Sequence, residues 1–86
     1  MNKVVPSLRF GKELKRLLNQ NEKYVQRVNK CMRLLGIDIN HPSLRLHKLA
    51  GRETYSVSVD MKIRILIQLD AGDIHLLRIG THNEVY

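Results

Sequence analysis

The sequence predicts an α+β domain of order β-α-α-β-β-β, a two-helix hairpin packed on one face of a small twisted antiparallel sheet. Apolar residues recur at helical spacing from Leu8 to Leu35 and then alternate from Tyr55 onward, so the period falls from about 3.6 to 2. A chain of 86 residues has room for one core, and residues 1–86 form a single domain.

Val4 and Val5 before Pro6 read as a brief first strand, because proline suits a strand end and disfavours helix at the residue before it. Ser7 is the expected N-cap of an amphipathic helix in which Leu8, Phe10, Leu14, Leu17 and Leu18 recur at helical spacing, with Arg9, Lys12, Lys15 and Arg16 between them. Asn19 to Asn21 make the turn. The second helix is expected to carry Tyr24, Val25, Val28, Cys31, Met32 and Leu35 on one face and to stop at Gly36. "IDINHPSLRLHKLAG" reads as an irregular basic connector. Beyond it Tyr55, Val57 and Val59 alternate with serines, and Ile63, Ile65 and Ile67 alternate with Arg64 and Leu66. The "DAGD" turn then leads to a last strand, Ile74 to Ile79, and a three-stranded meander results.

Fifteen Lys and Arg against eight Asp and Glu give a net charge of +7, which favours a polyanionic partner, either nucleic acid or an acidic protein. The apolar runs are too short and too charged to span a membrane, and "MNKVVPSLRF" has no apolar signal core, so a cytoplasmic location is expected. Cys31, the single cysteine, falls in a helical apolar stripe and reads as a core hydrophobe. His41, His47, His75 and His82 show no paired ligand spacing, so no metal and no cofactor is expected.

Arg64 stands between isoleucines on a strand, where its charge must be solvated, paired with Asp60 or Asp70, or aimed at an anionic ligand. RNA cleavage needs no nucleophile from the protein, because the attacking 2′-hydroxyl belongs to the substrate. It needs fixed cations for the developing phosphate charge and groups that move two protons. A strand arginine, basic residues in the connector, and a histidine and tyrosine in the tail "GTHNEVY" supply those chemistries.

The segments "HPSLRLHKLAG", "IRILIQL" and "IGTHNEVY", in this order of elements, resemble the RelE/ParE superfamily of toxins from bacterial type II toxin–antitoxin modules, and most of all its RelE and YafQ branches. The resemblance covers essentially the whole chain. It implies a metal-independent endoribonuclease that cuts mRNA on the ribosome, inhibits translation and is neutralised by a small, acidic cognate antitoxin. Contact with DNA would be indirect, through that antitoxin. By the same resemblance Arg64 stabilises the phosphate, His82 acts as an acid and Tyr86 contacts the RNA. His41 matches a further YafQ-like histidine and Lys48 the lysine of the "KLxG" segment. Where RelE-like members carry two strand lysines this chain has Ser56 and Ser58, and His47 is a candidate replacement for the missing proton-transfer group. His41, Arg45, Lys48, Arg52, Ser56, Ser58 and Lys62 form the expected RNA-contacting set. The serines also leave open a non-enzymatic alternative: a ParE-like inhibitor of DNA gyrase, or an inactive scaffold that binds an antitoxin.

Overall fold

The structure is a computed structural model that describes residues 3–86. Strand β1 (Val4–Pro6) leads into helices α1 (Leu8–Gln20) and α2 (Lys23–Ile37). Four strands follow, β2 (His47–Lys48), β3 (Thr54–Ser58), β4 (Ile63–Asp70) and β5 (Asp73–Thr81), before a one-turn helix α3 (His82–Val85). The strands form one sheet in the order β1-β5-β4-β3-β2.

Ser7 caps α1 as its sequence position predicts, accepting the Phe10 N–H at 3.0 Å. Its hydroxyl also donates to the Leu77 carbonyl at 3.0 Å, and its N–H bonds the Leu76 carbonyl, so the cap of α1 is fastened to β5. The turn between the helices is shorter than expected. α1 runs through Gln20, and Asn21 accepts the Lys23 N–H to open α2. Gly36 does not stop α2: its φ is not positive, the helix passes through it, and Asp38 ends it in an extended conformation.

Two further departures concern the sheet. The connector is not wholly irregular, because His41 caps a 3-10 turn at Pro42–Leu44 through its Nδ1, Leu44 enters the core, and His47–Lys48 adds β2 to the edge of β3. The sheet is mixed rather than antiparallel throughout, because β1 pairs with β5 in parallel, Val4 opposite Ile74.

The core lies between the helices and one face of the sheet, and joins Phe10, Val28, Cys31 and Leu35 to Val57, Ile63, Ile65, Ile67, Ile74, Leu76 and Ile79. Cys31 fills it as a hydrophobe. Burial pushes its thiol up to about 11, and Sγ donates weakly to the Ser58 carbonyl. In β5 the core residues Ile74 and Leu76 are two apart, but Ile79 is three further on. A bulge resolves this. Leu66 pairs with Arg78 and Ile67 with Leu76, so Leu77 is an extra residue that shifts the alternation by one and returns Ile79 to the core. The β4–β5 hairpin closes on Ala71 (φ 51) and Gly72 (φ 86), the positive-φ pair that a two-residue loop requires.

The opposite face is not bare. α3 lies against β4 and β5 there, and Val85, Leu66 and Ser56, at 3%, 2% and 0% exposure, are buried outside the main core. Gly80 permits this approach: a Cβ on it would lie 3.1 Å from Glu84 Oε1 and 3.2 Å from Val85 Cγ1.

Candidate functional site

Across the sheet, residues in register share a face, so Ser58, Arg64 and Gly80 form one row on the side carrying α3, and His47, Ser56, Leu66 and Arg78 form the next. Arg64 therefore leaves β4 beside the glycine over which α3 is laid. Its sequence left open an ion pair with Asp60 or Asp70. Among the described residues no carboxylate lies within 4.0 Å of it. Asp60 is occupied elsewhere. Its Oδ1 accepts the N–H groups of Lys62 and Ile63, and its Oδ2 accepts Arg27 at 2.8 Å. Although partial burial works the other way, these donors together hold the Asp60 carboxyl below the usual carboxylate range. Arg64 is left half-buried, and among the described residues its guanidinium has no hydrogen-bond or ion-pair partner, a cation beside the part of the face that α3 covers.

The tail is not a continuation of β5 but a helical turn. The Thr81 hydroxyl accepts the Glu84 N–H at 3.3 Å, and Glu84 Oε1 accepts the Thr81 N–H at 2.8 Å, a reciprocal capping box. The Thr81 N–H and then its hydroxyl hold Glu84 below its ordinary pKa against a small burial cost, with Arg16 and Arg78 adding to the effect. Val85 anchors the turn, and His82 and Tyr86, four residues apart, stack with ring centroids 4.1 Å apart at 45°. Tyr86 is 41% exposed and His82 is exposed, so both rings remain open to a ligand.

The other sequence-predicted residues divide. His47 is exposed in the row of Leu66, its Nδ1 3.4 Å from the Arg45 carbonyl. Lys62 is exposed at the Arg64 end of β4, and Arg45, in a left-handed conformation, borders the β3–β4 turn. His41 spends its Nδ1 on the Ser43 N–H. Lys48 is in register with Tyr55, which packs on the main core, so it leaves β2 from the opposite face, and Glu53 pairs with it at 3.6 Å. Arg52 is exposed just before Thr54, which pairs with Gln68, far along the strands from Arg64. Ser56 departs from the expectation of direct contact, and Ser58 does not. Ser56 has no exposed surface and its Oγ has no partner, while the Ser58 hydroxyl donates to the Asp60 carbonyl at 2.7 Å within the turn. Ser56 is buried because its face, which the alternation alone would leave in solvent, is covered.

Sequence reading missed Glu13. Its Oε2 accepts two bonds from Arg78, at 2.8 and 3.3 Å, and its Oε1 accepts the Ile79 N–H, which β1 is too short to pair. The capping box was visible as Thr-x-x-Glu in "GTHNEVY". Glu13 had no comparable signal. Among the described residues no three His, Cys, Asp or Glu side chains converge as a metal site, and no helix is long and apolar enough to cross a membrane.

No protein-family model matches the chain, and no curated protein matches its sequence. Solved structures do. YafQ from E. coli strain BL21(DE3) superposes with a TM-score of 0.81 at 18% identity, over 100% of this chain and 99% of that one. The E. coli DinJ–YafQ toxin–antitoxin complex gives 0.82 at 20% identity over 99% and 97%. A YoeB/ParE toxin from Agrobacterium tumefaciens gives 0.80 at 13% identity over 93% and 98%. The fold is that of the RelE/YafQ-type toxins of toxin–antitoxin systems.

Proposed function

We propose that this protein is the toxin of a type II toxin–antitoxin pair, a metal-independent endoribonuclease that cleaves mRNA on the ribosome and is held inactive by an acidic antitoxin. The observation that carries the reading is Arg64, unpaired on the sheet face beside the helical turn that presents His82 and Tyr86. The 2′-hydroxyl of the substrate attacks the adjacent phosphorus. The 2′-O–P bond forms, the P–O5′ bond breaks, a base removes the 2′ proton and an acid returns one to O5′. Arg64 is suited to the charge that grows on the non-bridging oxygens. His82 is the acid, and Tyr86 carries a base on its exposed ring. His47, exposed in the neighbouring row, is the candidate base. The toxin acts in the cytoplasm, and a +7 surface suits an acidic neutralising chain.

Single-turnover cleavage of ribosome-bound mRNA tests this. Arg64→Ala should slow the reaction by roughly 10²–10³, and His82→Ala by roughly 10²–10⁴. Variants that cut as fast as the parent would refute the mechanism.

The serines of β3 favour a second reading. Neither offers a proton-transfer group, which suits a non-enzymatic protein that inhibits DNA gyrase or only binds an antitoxin. Inhibited supercoiling with intact mRNA would select it.

A further inference from the structure

We propose that the cleft between α1 and the uncovered edge of β5 is a second phosphate-binding track, which holds the backbone of single-stranded RNA that continues from the candidate site. This rests on RNA being the substrate.

β1 covers β5 only as far as Leu76, so beyond that residue α1 runs beside an open strand edge. The cleft there is lined by Arg9, Lys12, Glu13, Arg16 and Arg78. Every lining residue is charged. A protein-docking groove would carry apolar or aromatic anchors at its centre, whereas a charged, concave strip with four cations and one carboxylate suits a phosphate backbone.

The charges are not equivalent. Glu13 and Arg78 neutralise one another through two hydrogen bonds and form a fixed floor, the Glu13 side chain only 13% exposed. Arg9, Lys12 and Arg16 stand on the flank of α1 above it, at rises of about 4.5 and 6 Å along the helix axis. Arg9 lies 3.8 Å from Glu13 and Arg16 3.9 Å from Glu84, and their side chains are 66% and 68% exposed. Such loose, solvated pairs are worth little, so the guanidinium groups are available to a ligand. The position of Arg16 beside Glu84 gives the direction. Arg16 stands next to the turn that presents His82 and Tyr86, so the track ends toward the face of Arg64.

The test measures affinity for a fluorescein-labelled, uncleavable 2′-O-methyl oligoribonucleotide by anisotropy across a salt series. Three phosphate contacts on a single strand contribute a slope of about −2 in log K against log[salt]. The triple variant Arg9→Gln, Lys12→Gln, Arg16→Gln should therefore have a slope shallower by about 2, and Lys12→Gln alone by about 0.7. A control of equal charge loss on α2, Lys23→Gln, Lys30→Gln, Arg33→Gln, should keep most of the parent slope. Equal flattening in both triples would reduce the effect to net charge and overturn the proposal, as would no flattening in the α1 variants. Loss of binding to poly-L-glutamate instead of RNA would reassign the cleft to an acidic polypeptide. Because the probe cannot be cut, a parent that binds it with the expected slope yet cleaves no mRNA would refute the nuclease reading and leave the track standing.

Discussion

Replacing Asp60 tests how the row containing Arg64 is set. The β3–β4 turn places Ser58 opposite Arg64, and Asp60 is its fastening: one carboxylate accepts two turn N–H groups at 2.7 and 2.8 Å and Arg27 at 2.8 Å. The Ile63 N–H is partly buried, and losing a charged acceptor there costs about 2 kcal/mol. The Lys62 N–H is exposed and finds water, so about 0.5 kcal/mol is lost. Arg27 is 52% exposed, which limits the ion pair to about 0.5 kcal/mol. Asp60→Ala should therefore cost about 3 kcal/mol, a fall in Tm of roughly 12–24 °C for a domain of this size. Arg27→Ala should lower Tm by only a few degrees, and Asp60→Asn, which keeps an acceptor oxygen, should fall between. Thermal unfolding followed by far-UV circular dichroism measures all three. The pH dependence has a fixed sign. The folded Asp60 carboxyl lies below its unfolded value of about 3.9. Its contribution is complete above that value and disappears as pH falls through the folded one, so parent and Asp60→Asn should converge in strong acid. If Asp60→Ala and Arg27→Ala proved equally stable, the turn N–H groups would not be what Asp60 secures.

Ala71 holds a positive φ that Asn tolerates better, so Ala71→Asn should stabilise the hairpin by about 1 kcal/mol in a denaturant titration. Ser56→Ala removes a buried hydroxyl that has no partner, and should be neutral or up to about 1 kcal/mol stabilising, where a loss beyond that range would reveal a hidden bond. Glu84→Ala breaks the capping box at a cost of about 1 kcal/mol. It should also remove the mutual ring-current shifts of His82 and Tyr86 in the NMR spectrum, whereas Glu84→Gln, which can still accept the Thr81 N–H, should retain them.

The helices, the long strands and the Asp70–Asp73 hairpin were legible because their signals are local: a serine cap, two hydrophobic periods, and a glycine where φ is positive. So was the face carrying Arg64, since alternation alone assigns it. What escaped depended on distant partners. Nothing near His47 announces pairing with Ser56, and nothing near Glu13 announces the unpaired N–H of Ile79, 66 residues away. The break in alternation between Leu76 and Ile79 did carry the bulge in the sequence, but as a missing beat rather than a motif. Ser56 was read as surface because a strand's pattern reports which side a residue is on, not whether a later turn of helix will roof it.

The sheet order has a consequence for how the chain comes together. β1 is made first and β5 last, yet β5 is the strand that β1 pairs with, the strand to which Ser7 is hooked, and the partner of Glu13. A chain emerging from its amino end can lay α2 on β3 and β4, but β1, the cap of α1 and Glu13 meet their partner strand only when residues 74–81 arrive, and such long-range closure is intrinsically slow. The sheet is closed from the far end. The strand that permits it also carries Gly80 and the turn beyond it. A chain still lacking β5 would have neither Gly80 beside Arg64 nor the turn that carries His82 and Tyr86, so that arrangement exists only when the fold is whole.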